Sequence, residues 1–427
     1  MTFFNITNIF SSSSSSAAIT LGCVDRESPF LKNKLKMTDC LLVTETKKQA
    51  NKNQTGDDDM FIFNIVKCSS ANPKFCNKAK KNLEITGQII TKFLKFKVPV
   101  IVEVSFSRLD SGVLGSAGPT RLHLMKSKDG IFRLYPQSLL KQFELTTHTE
   151  YRPSDIQAEF NSNVDYWFED DVTPVKKSQI GFVELILHEL IHGLGFISAW
   201  DSYFDDVEVL TPFIYYQNTE FHGFIEGIFD KFLILSDGTP LTNFTNELNK
   251  FAPEGTKFDS MYDLYNKFRA SSQYKIATDM LNYSTTALSF GFLPEGSDYQ
   301  TIATNSSKIN DELYYLETSL RPYLMGSSVS HVSQDLYAKS NEFLMTWIQD
   351  PGRGLNDAIK DGGNYTGGAI GPKLKSVFES MGYVTGNNSE PEIPLPDDDI
   401  PSKSSSNNSN KLLMILLFIL QFIFNLI

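Results

Sequence analysis

Two histidines and a glutamate within one short stretch have the residue types and spacing of a zinc site. Residues 187–196 read Leu-His-Glu-Leu-Ile-His-Gly-Leu-Gly-Phe, so His188 and His192 are four positions apart. On an α-helix, residues four apart lie on the same face, where both imidazoles can bind one ion. Glu189 lies further round the helix, where it can take a proton from a zinc-activated water that attacks a peptide bond. The spacing therefore predicts His188 and His192 as zinc ligands and Glu189 as the catalytic base.

The segment around this motif is almost entirely apolar. Within residues 178–194, Glu184 is the one charged residue besides the motif, and Ile, Leu, Val and Phe make up most of the rest. Burying two imidazoles and a carboxylate without partners would cost several kcal/mol, and a bound metal offsets much of that cost. A chance match to H-E-x-x-H normally lies on an exposed, charged helix, so the apolar setting favours a metal site.

Two glycines, Gly193 and Gly195, follow the second histidine. Glycine adopts the left-handed backbone conformation that ends a helix sharply. A sharp end lets the chain turn back under the metal and bring a third ligand from elsewhere. Catalytic zinc sites usually have three protein ligands and a water, so a third ligand is expected.

At this point the sequence resembles the metzincin metallopeptidases, whose pattern is H-E-x-x-H-x-x-G-x-x-H. His188, Glu189, His192 and Gly195 match this pattern, whereas Ser198 stands where it has a third histidine. In the leishmanolysin-like branch of metzincins a long insertion precedes the third histidine, and those proteins are commonly GPI-anchored. The chain is similar to that branch over residues 178–200 and 326–345. The resemblance implies a zincin fold, a zinc cofactor and peptidase activity.

The third ligand can be sought by elimination, because the chain has six histidines. His123 and His148 precede the motif, where the metzincin pattern places no ligand. His331 lies in Gly-Ser-Ser-Val-Ser-His-Val-Ser-Gln-Asp, a loop of small residues that can approach a metal closely. We therefore predict His331 as the third zinc ligand, with zinc as the cofactor.

Other completions of the site stay open. His222 is the remaining histidine, and a carboxylate such as Asp201 or Glu220 would also serve as a ligand. The Leu-Met pair that ends at Met345 resembles the Met-turn beneath the metal in metzincins, and Met325 belongs to a competing Leu-Met pair.

The hydrophobic pattern predicts an α+β fold. Apolar residues at helical spacing predict a helix over 74–96, and a β-branched run predicts a strand over 98–106. A second strand, 155–161, precedes the motif helix, 178–194, so the order favours a zincin-like sheet packed on that helix. The C-terminal subdomain is mixed, with helices expected at 261–268 and 373–381 and a glycine-rich loop at 364–371.

Two of these features have alternative interpretations. The strand 155–161 is either an ordinary surface strand or the exposed edge that pairs with an extended peptide substrate. Tyr383, just past the last predicted helix, is either an exposed aromatic residue or a group that steadies the oxyanion.

Composition is that of a globular protein: 41% of the 427 residues are hydrophobic and 12% are aromatic. The formal net charge of −11 argues against a nucleic-acid partner, which would favour a basic face. Four cysteines form no CxxC pair, which disfavours a thiolate zinc site. Cys68 and Cys76 enclose a short loop and could be bridged. No cysteine is arranged as a zinc-blocking switch; Cys40 or Cys23 could serve as one, but neither has supporting sequence context.

The ends of the chain suggest export to the cell surface. We expect a loose lead segment over 1–57, a peptidase domain over 58–385, a Pro/Ser/Asn-rich linker over 386–410 and a hydrophobic tail over 411–427. Small residues, a polar spacer and an apolar tail are the arrangement of a GPI-attachment signal, with a retained tail anchor as the alternative. The first 22 residues make a poor signal peptide, which indicates a weak signal or a misassigned start.

Asn-x-Ser/Thr sequons agree with a secreted protein, and seven of them begin at Asn53, Asn243, Asn282, Asn305, Asn364, Asn387 and Asn407. An eighth begins at Asn5 and counts only if the N-terminus is retained. The sequence thus predicts a zinc-dependent endopeptidase that acts on protein or peptide substrates at the extracellular face of the membrane, or as a secreted protein. A non-catalytic GPI-anchored glycoprotein with a zincin fold and a metal hydrolase of another specificity remain as alternatives.

Overall fold

The computed structural model describes residues 20–27, 35–44, 60–68, 74–204, 208–299, 312–386 and 391–394. Within these stretches the chain is a mixed α+β protein, which confirms the predicted fold class at that level. The predicted hydrophobic tail, 411–427, and nearly all of the linker, 386–410, lie outside the described residues. In the described part of the chain, no helix is both long enough and apolar enough to cross a membrane.

The strands are, in chain order, β1 (Thr20–Arg26), β2 (Leu35–Thr44), β3 (Phe61–Cys68), β4 (Leu94–Lys95), β5 (Val100–Ser107), β6 (Gly115–Pro119), β7 (Arg121–Lys126), β8 (Phe132–Pro136), β9 (Thr147–Thr149), β10 (Ile156–Asn161), β11 (Tyr166–Trp167), β12 (Ile180–Gly181), β13 (Phe213–Gln217), β14 (Glu220–Gly227), β15 (Leu233–Leu235), β16 (Thr256–Lys257), β17 (Phe290–Phe292), β18 (Tyr314–Tyr315) and β19 (Val384–Thr385). The α-helices are α1 (Phe75–Phe93), α2 (Gln137–Leu140), α3 (Phe182–Gly193), α4 (Leu241–Leu248), α5 (Met261–Arg269), α6 (Gln273–Ser284), α7 (Gln334–Tyr337), α8 (Leu355–Asp361) and α9 (Pro372–Met381).

A four-stranded sheet supports the helix that carries the motif. Its order is β3-β5-β10-β6, and β6 runs antiparallel to β10 while the other neighbours are parallel. The inward residues of β5 are buried aliphatic side chains, as the β-branched run 98–106 predicts. Helix α3 packs on β6, on β10 and on α1. The predicted helix 74–96 is confirmed as α1, and 178–194 is confirmed with a later start, because β12 occupies its first turn.

Glycine at position 193 permits the close packing of α3 on this sheet. A β-carbon built on Gly193 would lie 2.4 Å from a methyl carbon of Ile156, which is a buried residue of β10. Any larger side chain would push the helix away from the sheet. The second histidine of the motif is the residue before Gly193, so this contact fixes how deeply the histidine lies above the strands.

A larger sheet of eight strands corrects the expectation of a loose lead segment over 1–57. Strands β1 and β2 come from that segment and lie inside the order β13-β14-β8-β7-β1-β2-β9, with β16 paired to β14. A disulfide between Cys23 and Cys40 joins β1 to β2, so neither thiol can serve as a zinc-blocking switch. The sequence pattern missed these strands because β1 buries the charged residues Asp25 and Arg26, whereas β2 exposes polar residues among its apolar ones.

The second disulfide joins Cys68 at the end of β3 to Cys76 in the first turn of α1. This confirms the bridge expected from the short loop between them. All four cysteines of the chain are therefore paired.

The expected edge strand is also corrected. The segment 155–161 forms β10, which pairs with β5 on one side and with β6 on the other, so it is an inner strand. The edge of the sheet is β6, whose sequence Gly-Ser-Ala-Gly-Pro has almost no strand propensity. Its place is determined by pairing with β10 rather than by local preference.

The chain after α3 is a mixed region of short strands and helices. The predicted helices 261–268 and 373–381 are confirmed as α5 and α9, and 364–371 is a loop. Strand β18 pairs with β17, which pairs with β15. Just beyond β18, Leu316 forms an isolated bridge with Val332, and Val332 forms another with Thr346. These bridges place the segment around residue 331 beside the turn Phe343–Met345, which packs on α3.

Candidate metal centre

The end of α3 determines the orientation of the second motif histidine. Gly195 has a φ of 115°, a left-handed conformation that L-residues rarely adopt, and its N–H donates to the His192 carbonyl at 3.0 Å. The chain reverses there, and Nδ1 of His192 lies 2.7 Å from the Phe196 carbonyl oxygen. The predicted sharp end of the helix is thus confirmed, and it provides a hydrogen-bond acceptor for the ligand itself.

Three histidines meet at one point. The Nε2 atom of His188 lies 3.2 Å from that of His192 and 3.1 Å from that of His331, and the last two atoms are 3.2 Å apart. Two of these residues are neighbours on α3, whereas His331 follows after 138 intervening residues. Among the residues that the structure describes, these three form the only group of His, Cys, Asp or Glu side chains with the spacing of a metal site.

Each imidazole has its Nδ1 atom against a backbone carbonyl. Nδ1 of His188 lies 2.6 Å from the Leu344 oxygen, and Nδ1 of His331 lies 3.0 Å from the Ser327 oxygen, matching the His192–Phe196 contact. A carbonyl only accepts, so Nδ1 is the protonated nitrogen and Nε2 carries the lone pair. Three lone pairs that face one another at about 3 Å repel unless a cation lies between them.

The residues present fit a zinc ion. The three Nε2 atoms form a triangle with sides of 3.1 to 3.2 Å. The centre of this triangle is about 1.8 Å from each nitrogen, slightly less than a zinc–nitrogen bond of about 2.0–2.1 Å. The three Nε2 atoms would hold such an ion, and the cleft beside them would give water or substrate access to it. Burial also lowers the pKa of His188 to about 4, opposed by its contact with Leu344, so the imidazole is in the neutral form that binds metals.

Glu317, which was not anticipated from the sequence, holds the loop of the third histidine. Its N–H donates to the His331 carbonyl at 2.7 Å, and its carbonyl accepts from the Val329 N–H at 2.9 Å. Its buried carboxylate accepts from the N–H groups of Ser319 and Gln334, both at 2.9 Å. The loop is therefore fixed on both sides of His331 before any metal binds.

Glu189 lies beside the histidines without belonging to their cluster. Its side chain is buried, and burial raises the pKa of its carboxyl to about 8, while a hydrogen bond from the Ala117 backbone lowers it. Ala117 is in the middle of β6, so the carboxylate reaches across to the edge strand. A cation held by the neighbouring histidines would favour the ionised form of this carboxyl, which is the form that can accept a proton.

The alternative ligands lie elsewhere. Nδ1 of His222 is 3.5 Å from a carboxylate oxygen of Glu254, and Glu220 pairs with Lys257. Asp201 accepts a hydrogen bond of 2.8 Å from the hydroxyl of Tyr323. The structure groups none of the three alternatives with His188 and His192.

The two methionines differ in position. Met345 is fully buried and comes directly after Leu344, the residue whose carbonyl accepts from His188. Met325 is partly exposed and lies in the wall of a cleft.

Both interpretations of Tyr383 are wrong. Its ring is 1% exposed, and its hydroxyl donates to the Leu194 carbonyl at 2.7 Å and contacts Ser138, so it is a core residue that braces the end of α3.

The histidine cluster lines a cleft of about 760 Å³. One wall is β6 and the loop before it, and the other includes residues 324–331 and 343–349. Glu184 also lines the cleft. Burial raises the pKa of its carboxyl to about 7, and the Arg353 guanidinium, 3.0 Å away, opposes that rise.

Arg26, from β1, reaches the same cleft. The sequence analysis did not identify it, because it lies within a segment expected to be loose.

The site and fold together define an α+β protein with a buried three-histidine cluster in an open cleft. Residues 13–396 match the SPBPB7E8-like family, and the chain therefore belongs to that family. It is similar to a Schizosaccharomyces pombe protein described as "Uncharacterized protein PB7E8.01", with 26% identity over 400 residues. That match covers 82% of this chain and 66% of the relative, so the chain spans just under two thirds of the relative's length. No solved structure matches the chain.

Proposed function

We propose that this chain is a zinc-dependent endopeptidase with a zincin-like fold of the metzincin type. The observation that carries the proposal is the meeting of the His188, His192 and His331 Nε2 atoms at 3.1 to 3.2 Å, with Glu189 beside them. Three neutral imidazoles with an open fourth position are the ligand set of catalytic rather than structural zinc sites. The match of H-E-x-x-H and Gly195 to the metzincin pattern adds to this support.

The proposed roles follow from position. His188, His192 and His331 would hold the ion, and their Nδ1 contacts to backbone carbonyls would keep the rings in place. When bound, zinc supplies Lewis acidity that polarises a peptide carbonyl and lowers the pKa of water. Glu189 would take a proton from the attacking water on a carboxylate oxygen and deliver it to the leaving amine nitrogen. The buried setting of Glu189 keeps bulk water from competing for that proton.

The cleft suits an extended peptide rather than a small molecule. Strand β6 is one edge of its sheet, and its first three residues, 115–117, line the cleft, with the Ala117 backbone next to Glu189. A peptide that adds to this edge as a further strand would pass directly over the histidines. Protein or peptide substrates are therefore proposed, and a metal hydrolase for small esters or amides would be expected to have a narrower pocket.

The extracellular face of the membrane is the proposed location. Both disulfides agree with an oxidising compartment. Of the sequon asparagines within the described residues, Asn243, Asn282 and Asn364 are all exposed, as glycan acceptors must be. The candidate GPI-attachment residues, 404–408, and the other sequons lie outside the described residues.

Phospholipase C that cleaves GPI anchors should release the glycosylated protein from intact cells. Retention of the protein on the cells after treatment would favour the tail anchor over the GPI anchor.

The substitution Glu189→Gln tests the catalytic proposal. The variant should retain one zinc ion per chain, measured by elemental mass spectrometry, because Glu189 is not a ligand. Its cleavage of labelled casein should fall by at least about 100-fold, the usual contribution of a general base. Glu84→Gln, on the exposed face of α1, is the matched control and should cleave like the wild type.

Two results would contradict the proposal. Undiminished cleavage by Glu189→Gln would remove the carboxylate from the mechanism. A purified wild-type protein with no stoichiometric zinc and no cleavage would instead favour the non-catalytic surface glycoprotein.

A further inference from the structure

Arg26 is a buried cation in the wall of the cleft. It ends β1, and its backbone N–H donates to the Thr120 carbonyl at 3.1 Å, one residue beyond the end of β6. The side chain is only 5% exposed, yet it lines the cleft together with the histidine cluster. A guanidinium is almost never buried unless a partner compensates its charge.

That compensation is incomplete within the described part of the chain. The Nε atom of Arg26 is buried and has no hydrogen-bond partner. The neighbouring carboxylate, Asp25, points to Arg121, which donates to it from Nε and Nη2 at 2.5 and 2.8 Å. Burial lowers the pKa of Arg26 to about 10, and the charges of Tyr203 and Asp201 oppose that effect. The side chain is still protonated at neutral pH.

The guanidinium lies directly on the edge strand. A β-carbon built on Gly118 would be 2.7 Å from both the guanidinium carbon and Nε of Arg26. The position therefore accepts only glycine while Arg26 keeps this conformation. Gly118 follows Ala117, whose backbone contacts Glu189, so the cation lies about one residue along β6 from the proposed catalytic base.

Arg26 is also the one arginine or lysine among the described residues that line the cleft. The acidic residue Glu184 on the same lining has its own partner in Arg353. The lining of the cleft thus includes a largely desolvated positive charge packed against β6, the strand on which a peptide would pair. A carboxylate is the group that matches a guanidinium in both charge and hydrogen-bond geometry.

We propose that Arg26 binds a carboxylate of the peptide substrate and makes this site selective for acidic peptides. The inference rests on the proposed peptidase function, since it assigns a substrate class to the same cleft. The carboxylate belongs either to an Asp or Glu side chain near the scissile bond or to the free C-terminus of a short peptide. Both sources have the same chemistry, and peptide design separates them.

The first measurement uses the zinc-loaded wild-type protein. A neutral peptide is made in a series that places one Glu at each of eight positions in turn. Every Glu peptide is compared with the peptide that has Gln at the same position. All peptides are made both with a free C-terminal acid and with a C-terminal amide. Glu should raise kcat/KM about 10- to 100-fold over Gln at a single position, the value of one charge-assisted hydrogen bond. A preference for the acid terminus alone would assign the carboxylate to the C-terminus. Equal rates throughout would overturn the proposal.

The second measurement uses variants. The acidic preference is kcat/KM for the preferred acidic peptide divided by kcat/KM for its neutral partner. This ratio should fall to near one in Arg26→Gln, and Arg26→Lys should retain part of the preference. Arg269→Gln removes an exposed arginine on α5 that does not line the cleft, and it should keep the full ratio. An undiminished ratio in folded Arg26→Gln, checked by its circular dichroism spectrum and zinc content, would overturn the assignment.

A binding experiment separates this proposal from the peptidase proposal. Fluorescence anisotropy of the same peptides with zinc-loaded Glu189→Gln reports recognition without turnover. If the zinc-loaded wild type cleaves nothing, while Glu189→Gln binds the acidic peptide at least about tenfold more tightly than its neutral partner, as a charge-assisted hydrogen bond requires, the Arg26 assignment stands and the peptidase is refuted. Cleavage without any acidic preference does the reverse.

Discussion

At the scale of single residues, the site depends on which nitrogen of each imidazole carries the proton. His188, His192 and His331 all place Nδ1 against a backbone carbonyl, so all three present Nε2 to one point. Two of those carbonyls come from loops far from the motif, at Leu344 and Ser327. The H-E-x-x-H spacing therefore predicts two members of the cluster and elimination predicts His331, whereas the tertiary structure brings the three together and orients their rings.

The substitution His331→Ala should abolish stoichiometric zinc binding. The variant would keep only two histidine ligands, both from one helix turn. Its zinc affinity should therefore fall by more than the about 10- to 100-fold that is typical when a ligand loses only its hydrogen-bond partner. Competition with a chromophoric chelator measures the dissociation constant. His222→Ala, which removes a histidine paired with Glu254, is the control and should bind zinc like the wild type. Equal affinities in the two variants would exclude His331 as a ligand.

At the scale of elements, helix α3 and strand β6 face each other through Ala117 and Glu189, and both depend on the sheets behind them. Strand β1 brings Arg26 to this junction. It is attached to β7 by the pair between Asp25 and Arg121, which is almost completely buried on the arginine side. The position of the cleft wall is thus linked to an ion pair in the larger sheet.

The substitution Asp25→Asn should destabilise the protein in a pH-dependent way. Burial tends to raise the pKa of Asp25, but hydrogen bonds and charge from Arg121 outweigh it and lower the pKa below 3.8. A lowered carboxyl pKa stabilises the fold above the unfolded-state value, and this contribution disappears as the pH falls through the folded-state value. Urea unfolding at pH 7 should show a loss of about 3 kcal/mol, the cost of breaking a buried pair.

The difference between wild type and Asp25→Asn should shrink as the pH falls below about 4, because the wild-type carboxyl becomes protonated there. Asp279→Asn, from an exposed pair with Lys275, is the control and should change stability by less than about 0.5 kcal/mol. A constant difference between wild type and Asp25→Asn down to pH 3 would show that the ion pair is not the source of the loss.

At the scale of the whole molecule, each disulfide joins two consecutive elements near the start of the described chain. The Cys23–Cys40 bridge closes a loop within the N-terminal part of the eight-stranded sheet, and Cys68–Cys76 attaches the start of α1 to the four-stranded sheet. Both bridges lie outside the cleft lining. They contribute to stability without taking part in the proposed chemistry.

The double substitution Cys23→Ser and Cys40→Ser should lower the free energy of unfolding by about 3 kcal/mol, the chain-entropy value for a loop of this size. Thermal unfolding followed by circular dichroism measures the change. The same variant should show weaker preference for acidic peptides, since Arg26 follows three residues after Cys23. A variant as stable as the wild type would show that the bridge does not restrict the unfolded chain.

The sequence by itself determined the features that depend on local pattern. Helical spacing of apolar residues identified α1 and α3, the β-branched run identified β5, and the i, i+4 histidines identified two members of the cluster. These succeed because a helix face or a buried strand imposes its period on neighbouring residues. The short spacing of Cys68 and Cys76 indicated their bridge for a similar local reason.

Tertiary structure decided the features that depend on contacts between distant segments. Strand β6 has weak strand propensity and forms an edge only because β10 pairs with it, and β1 and β2 gain their places from partners in the larger sheet. His331 joins the motif because Glu317 and the neighbouring bridges fix its loop beside α3. Arg26 meets Gly118 for the same reason. Each of these contacts joins residues whose sequence separation leaves no periodic trace, so only the folded chain defines them.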